Sequence, residues 1–139
     1  QIAGQAVTVP SSSQSTGTLQ FAILNQFYTV ATLTYTSSGA NVLLNWSLAL
    51  EETTNNIGIR MPFRLYRGST LIYRLEAGYN GLTYDPYIVS TNFFTGSFLD
   101  TGNSPGSVTY SIEMARGGIG STSSTYAANR VLTALEVKR

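Results

Sequence analysis

Seven carboxylates are the only side chains in this chain of 139 residues that titrate in the ordinary acid–base range: Glu51, Glu52, Glu76, Asp85, Asp100, Glu113 and Glu136. There is no histidine and no cysteine. That removes the usual general base, the commonest metal ligand, the thiolate nucleophile and any disulfide framework. What remains is carboxylate chemistry. Glycoside hydrolysis needs two carboxylates facing each other across a cleft. Asp100 and Glu113 flank one turn and come nearest to that pattern. A turn cap and a solvated strand position explain the same two residues more simply. A calcium ion needs several oxygen ligands together, and "LDTGN" at 99–103 is thin for that. "GGIG" at 117–120 resembles a phosphate cradle, but a cradle opens a helix, and the "STSSTY" that follows does not form one. "NWS" at Asn45 is a glycosylation sequon on paper, placed in the middle of an expected strand. No catalytic residue, no metal ligand and no cofactor is expected.

Aromatic residues are the other candidates. "YNGLTYDPY" holds Tyr79, Asn80, Tyr84, Asp85 and Tyr87 within nine positions. Tyrosine rings offer apolar faces to sugar rings, and Asn80 and Asp85 offer bonds to hydroxyls. The plainer reading is an ordered loop packed by its own tyrosines. Nine Tyr and six Phe are many for a small domain with 11% charged residues. Tyr28, Tyr66 and Tyr110 are the candidate subunit contacts, because spare aromatics and low charge coincide at protein interfaces. Scattered surface tyrosines, which need no explanation, are the alternative.

Charge excludes further classes. Net charge is +1 and the eight cations are spread thinly. A nucleic-acid binder carries a basic stripe, so no nucleic acid is expected. No run of about 18 apolar residues is present, so no membrane helix is expected. The start, "QIAGQAVTVP", lacks the basic region and long apolar stretch of a signal peptide. A chain that begins at Gln1 without Met reads as a trimmed or excerpted piece of something longer.

The elements that must position these residues read as strands nearly throughout. Residues 1–20 are polar and uncharged, with "SSSQSTGT" at 11–18. They are expected to be an extended arm or linker, either disordered or ordered only against a partner through the strand-like "AVTVP". The domain proper is expected over 21–139. Phe27, Thr29, Ala31, Leu33 and Tyr35 alternate on one face, and "SSGAN" is a turn. Val42, Leu44, Trp46, Leu48 and Leu50 form the clearest apolar face at period two. Ile57 to Leu65 alternate next, with Pro62 demanding an edge or a bulge. "RGST" then turns a hairpin into Leu71, Tyr73 and Leu75. Weaker strands are expected over 82–84 and 87–94. In "SFLDTGNSPGSVTYSIEMA", Pro105 and Gly106 stiffen a turn before Val108, Tyr110, Ile112 and Met114. The last strand is expected over 127–138 with Val131, Leu135 and Val137 inward. Eight or nine short strands without a helix predict an all-β antiparallel β-sandwich or barrel.

Four passages, in their order, carry a resemblance. "VLLNWSLAL", "FRLYRGSTLIYR", "SFLDTGNSPGSVTYSIEMA" and "NRVLTALEVKR" together resemble the TNF/C1q-like jelly-roll modules of tailed-bacteriophage virion proteins. They cover about residues 26–139. The resemblance implies a jelly roll, a homotrimer packed around a threefold axis and a place on the virion surface. It implies a structural role, as capsid decoration protein or as tail or head fibre module, in contact with other virion proteins. A tip module that binds host surface glycans is the alternative.

Overall fold

The strongest sequence signal sits in the middle of the molecule. In the computed structural model, which describes residues 10–52, 59–79, 81–88, 91–117 and 125–137, Val42, Leu44, Trp46, Leu48 and Leu50 all point into the core. Their strand, β4 (Asn41–Glu52), is an inner strand of its sheet. The other elements are β1 (Ser11–Ser15), β2 (Leu19–Gln20), β3 (Phe27–Ser38), β5 (Ile59–Arg60), β6 (Phe63–Arg67), β7 (Thr70–Leu75), β8 (Tyr87–Ile88), β9 (Thr91–Asp100), β10 (Pro105–Ala115) and β11 (Thr125–Val137). No helix occurs among the described residues. One sheet runs β1-β11-β4-β9, with β2 also on β11, and the second runs β3-β10-β6-β7. A two-stranded ribbon, β5-β8, stands beside them. Every ladder between strands is antiparallel. The orders β1-β11-β4-β9 and β3-β10-β6-β7 are those that two interlocked Greek keys require. The chain is an all-β antiparallel sandwich of jelly-roll type.

The core lies between the sheets. Trp46 stacks on Phe63 at 4.9 Å, Phe63 meets Phe94 at 5.3 Å, and Tyr73 stacks on Phe98 at 5.1 Å. Ring pairs at this spacing add a directional term to plain burial. Gly96 faces Trp46 directly across the β4–β9 ladder. A Cβ built there would lie 2.4 Å from Trp46 Cζ2, so the ring occupies the space of a side chain.

Several sequence expectations differ from what is observed. Residues 11–20 were expected as an arm, yet Ser11–Ser15 pairs with β11 from Ala134 to Arg130, and Leu19–Gln20 pairs with Tyr126 and Ala127. Ser11–Ser15 and Leu19–Gln20 therefore belong to the sandwich. Backbone groups supply these ladder bonds whatever the side chain, and a short serine strand suits an outer edge. Residues 1–9 lie outside the described residues. Of the strand expected over 57–65, residues 57 and 58 lie outside the described residues, and the rest breaks at Met61–Pro62 into β5 and β6, because proline has no donor for the ladder. Residues 82–84 form no strand, and β8 and β9 are separate elements. The β6–β7 hairpin and the turn before β10 lie where they were expected.

Two bulges invert faces. In β11 one extra residue between Ala127 and Arg130 shifts the register. Leu132 and Ala134 then point inward, while Val131, Leu135 and Val137 point outward, opposite to expectation. In β3 the pairing with β10 shifts at Ile112/Glu113, so Val30 and Ala31 are both buried and Thr29 is exposed. The same shift turns Tyr28 toward the core, where its ring meets Phe21 edge-on at 5.7 Å. An alternation rule counts residues and cannot see an inserted one.

Candidate functional site

The carboxylates serve the fold. Asp100, at the end of β9, is buried. Its Oδ1 accepts from Arg67 Nη1 at 2.5 Å and from the Gly102 backbone N–H at 3.0 Å, and its Oδ2 accepts from the Tyr110 hydroxyl at 2.7 Å. Burial alone would raise its pKa. The bonds from Arg67, Tyr110 and Gly102 outweigh burial and hold the carboxyl below its ordinary value. Burial, with Asp100 beside it, pushes the Tyr110 hydroxyl far up, so it stays a donor. Glu136 on β11 reaches the end of β3 in the other sheet. It accepts from Ser37 Oγ at 2.7 Å, from the Ser38 N–H at 2.8 Å and from Ser38 Oγ at 2.8 Å. Glu52 accepts from Thr125 Oγ1 at 2.7 Å inside the sandwich, and Glu76 is bonded by Arg64.

The Asp100–Glu113 pair does not face a common cleft. Asp100 is held between the sheets against Tyr110. Glu113 stands on the outer side of β10, opposite Arg64 in the ladder. Among the described residues no group of three or more Asp or Glu gathers where a metal could sit.

The tyrosine loop follows β7. Ala77 N–H donates to Asp85 Oδ1 at 2.6 Å, Gly78 N–H to the Leu82 carbonyl at 2.8 Å, and Leu82 N–H to the Tyr79 carbonyl at 3.0 Å. Asp85 thus ties the loop to itself. Asn80 lies outside the described residues. Tyr79, Tyr84 and Tyr87 are 40%, 63% and 59% exposed, so they do not pack the loop from within. Arg74 lies over the Tyr79 ring at 3.4 Å, and Arg60 over the Tyr84 ring at 4.1 Å. Tyr79 and Arg74 line a shallow groove of about 300 Å³ with Leu71, Tyr73 and Phe98, where β7 and β9 edge the sandwich.

Of the three expected subunit contacts, Tyr66 stays on an outer face, half-buried opposite Ser111. Tyr110 is fully buried within its own chain and cannot meet another. Tyr28 packs on Phe21 and accepts from the Ile23 N–H at 3.1 Å. Burial of Tyr110 overturns its expected role, whereas Tyr28 stays half-buried with its ring turned toward the core by the β3 bulge.

A surface that sequence reasoning missed is the outer face of the β1-β11-β4-β9 sheet. Its rows run Leu99–Leu43–Leu135, Ser97–Asn45–Thr133 and Thr95–Ser47–Val131 across β9, β4 and β11. Phe93 beside Ala49 closes one end, and Ser12 and Gln14 continue it on β1. No charged side chain stands on these rows, and Glu51 continues the face of β4 only beyond Ala49, whereas the outer face of the second sheet carries Arg64, Arg74 and Glu113. Phe93 is 67% and Leu99 47% exposed. The signal was present in β9 and β4 as alternation, but the face of β11 was inverted by its bulge.

No family model matches the sequence, and no curated protein matches it. Solved structures do match. The chain is similar to a structure of infectious bursal disease virus, Gx strain, with a TM-score of 0.59 and 10% identity over 92% of this chain and 33% of that one. It is similar to the VP2 subviral particle of the same virus, with a TM-score of 0.59 and 12% identity over 94% of this chain and 33% of that one. The chain thus spans about a third of the length of these proteins. At such identity the likeness is one of fold, and the fold it shows is the antiparallel jelly-roll sandwich.

Proposed function

We propose that the chain is a non-enzymatic structural protein of a virus particle, a jelly roll that assembles at the particle surface through protein–protein contacts. The observation that carries this is the outer face of the β1-β11-β4-β9 sheet, free of charge from the Leu99 row to Phe93, with Glu51 only beyond its end and Phe93, Leu99 and Val137 exposed on it. Loss of charge from the centre of a contiguous patch is the compositional mark of an interface. Apolar residues left in water on one sheet face and charges placed on the other fit a molecule with one covered side. The fold shared with virus-particle structures supports the reading. The resemblance of the four passages to tailed-phage modules narrows it to a homotrimer on the virion surface, as capsid decoration or fibre module, in contact with other virion proteins.

Light scattering on the native chain at low micromolar concentration tests it. A stable trimer of the 15.0 kDa chain is expected. A monomer at every concentration overturns the assembly reading.

One observation favours a second reading, a glycan-binding tip module. Tyr79 and Tyr84 in the loop and Tyr87 at the start of β8 keep large exposed surfaces, beside a groove that Arg74 and Tyr79 line. Arg74 and Arg60 stack on the Tyr79 and Tyr84 rings, and both tyrosines keep exposed surface for a sugar to stack on. A glycan array should then give a signal that Tyr79→Ala reduces at least about tenfold, the loss of one good aromatic contact. A blank array, or an unchanged signal, removes this reading.

A further inference from the structure

Four strands edge the two sheets: β1, β9, β3 and β7. Natural sheets guard such edges by short length, bulges, charge or proline, since unpaired N–H and C=O groups template another strand. Three of the four are guarded here. β1 has five residues. β7 has six, carries Arg74, and its ladder shifts register at Leu65/Tyr66. β3 carries the bulge opposite Ile112/Glu113. β9 is different. It has ten residues, its ladder with β4 runs without a register shift, and it holds neither proline nor charge before Asp100. No other strand among the described residues pairs with its far side.

The sequence of β9 is also close to a palindrome. From Phe93 to Leu99 it reads Phe-Phe-Thr-Gly-Ser-Phe-Leu. We propose that β9 is a homotypic seam, where two copies of this chain join their β1-β11-β4-β9 sheets edge to edge about a two-fold axis at Gly96. Antiparallel pairing of identical strands about that axis sets Phe93 opposite Leu99 on the outer face and Thr95 opposite Ser97 beside them. It sets Phe94 opposite Phe98 on the inner side. Directly opposed residues have Cβ atoms about 5 Å apart, within contact for an apolar pair and within bonding reach for two hydroxyls. Each type therefore meets its own kind, twice per dimer, as an isologous contact demands. No other axis along β9 does this: an axis at Thr95 would put Phe93 against Ser97 and Phe94 against Gly96. Gly96 leaves the axis free of side chains, because the direction its Cβ would take is filled by Trp46. The seam also accounts for the two large apolar side chains that β9 exposes. It makes one continuous sheet of ten strands, five from each copy, and doubles the outer face.

The inference rests on the reading of the chain as an assembling protein, and the test separates the two. Thr95→Lys/Ser97→Lys places like charges opposite each other across the seam, and both positions are exposed, so the fold has no need of them. Thr95→Lys/Ser97→Asp places opposite charges together in this register alone. Mass by light scattering up to about 100 µM, a range that captures weak association, should show for the parent an even-numbered species above the trimer expected at low micromolar concentration, such as a hexamer of two trimers joined at β9. The Lys/Lys variant should weaken that step at least about tenfold, and the Lys/Asp variant should restore it. An even species that the Lys/Lys variant keeps overturns the seam and leaves assembly standing. A trimer with no even species does the same. A monomer throughout overturns both. Circular dichroism melts of the two variants verify that each remains folded. Failure of the Lys/Asp variant to restore the even species overturns the two-fold register.

Discussion

Asp100→Ala is expected to destabilise the fold by about 3 kcal/mol, because it leaves a buried hydroxyl and a guanidinium without their acceptor. The Tyr110 hydroxyl is the more costly orphan, since the whole residue is buried and burial keeps the hydroxyl protonated. Arg67 can turn partly to water, which moderates the loss. The pH dependence follows from the sign of the shift. The Asp100 carboxyl sits below its ordinary value of 3.8 in the folded chain. Its contribution is therefore complete above that value and disappears as pH falls through the lower, folded value. Denaturant unfolding of parent and variant between about pH 6 and pH 2.5 should give a difference that shrinks only below about pH 4. A difference that stayed constant to the lowest pH would show that the bonds to the ionised carboxylate are not its source. Tyr110→Phe should cost about 1 kcal/mol, since it removes the donor and leaves Asp100 with two others.

The larger effect belongs to the ring under β9. Trp46→Ala should cost about 4 kcal/mol through lost burial and the cavity left between Phe63 and Gly96. Gly96→Ala should cost about 2 kcal/mol, because its new Cβ would fall 2.4 Å from the indole and must move it. The two substitutions compete for one space. Combined, they should cost less than their sum, since the absent ring makes room for the methyl group. Chemical denaturation of the four proteins measures the coupling. Strict additivity would mean that Gly96 is needed for backbone freedom rather than for the space that Trp46 fills.

Sequence alone determined the parts of the protein whose cause is local. The period of two in β4 names its buried face without reference to any other strand, since successive side chains must alternate. The same holds for β10, where the alternation already groups Tyr110 with Val108, Ile112 and Met114, all buried. Gly68, with a positive φ of 57°, fits the turn legible in "RGST". Tertiary structure decided the rest. Ser11–Ser15 has no apolar pattern and becomes a strand only because β11 offers it an open ladder. The outward faces of β11 and the inward turn of Tyr28 depend on single extra residues, which pairing partners select and composition does not mark. Arg67, Asp100 and Tyr110 meet across 33 and 10 positions of chain. The outer rows without charge span four strands drawn from both ends of the sequence. Alternation carries information over two residues, whereas a sheet is assembled by hydrogen bonds between distant ones. Which strands become neighbours, and so which surface is left for a partner, is set only when the two sheets close on one core.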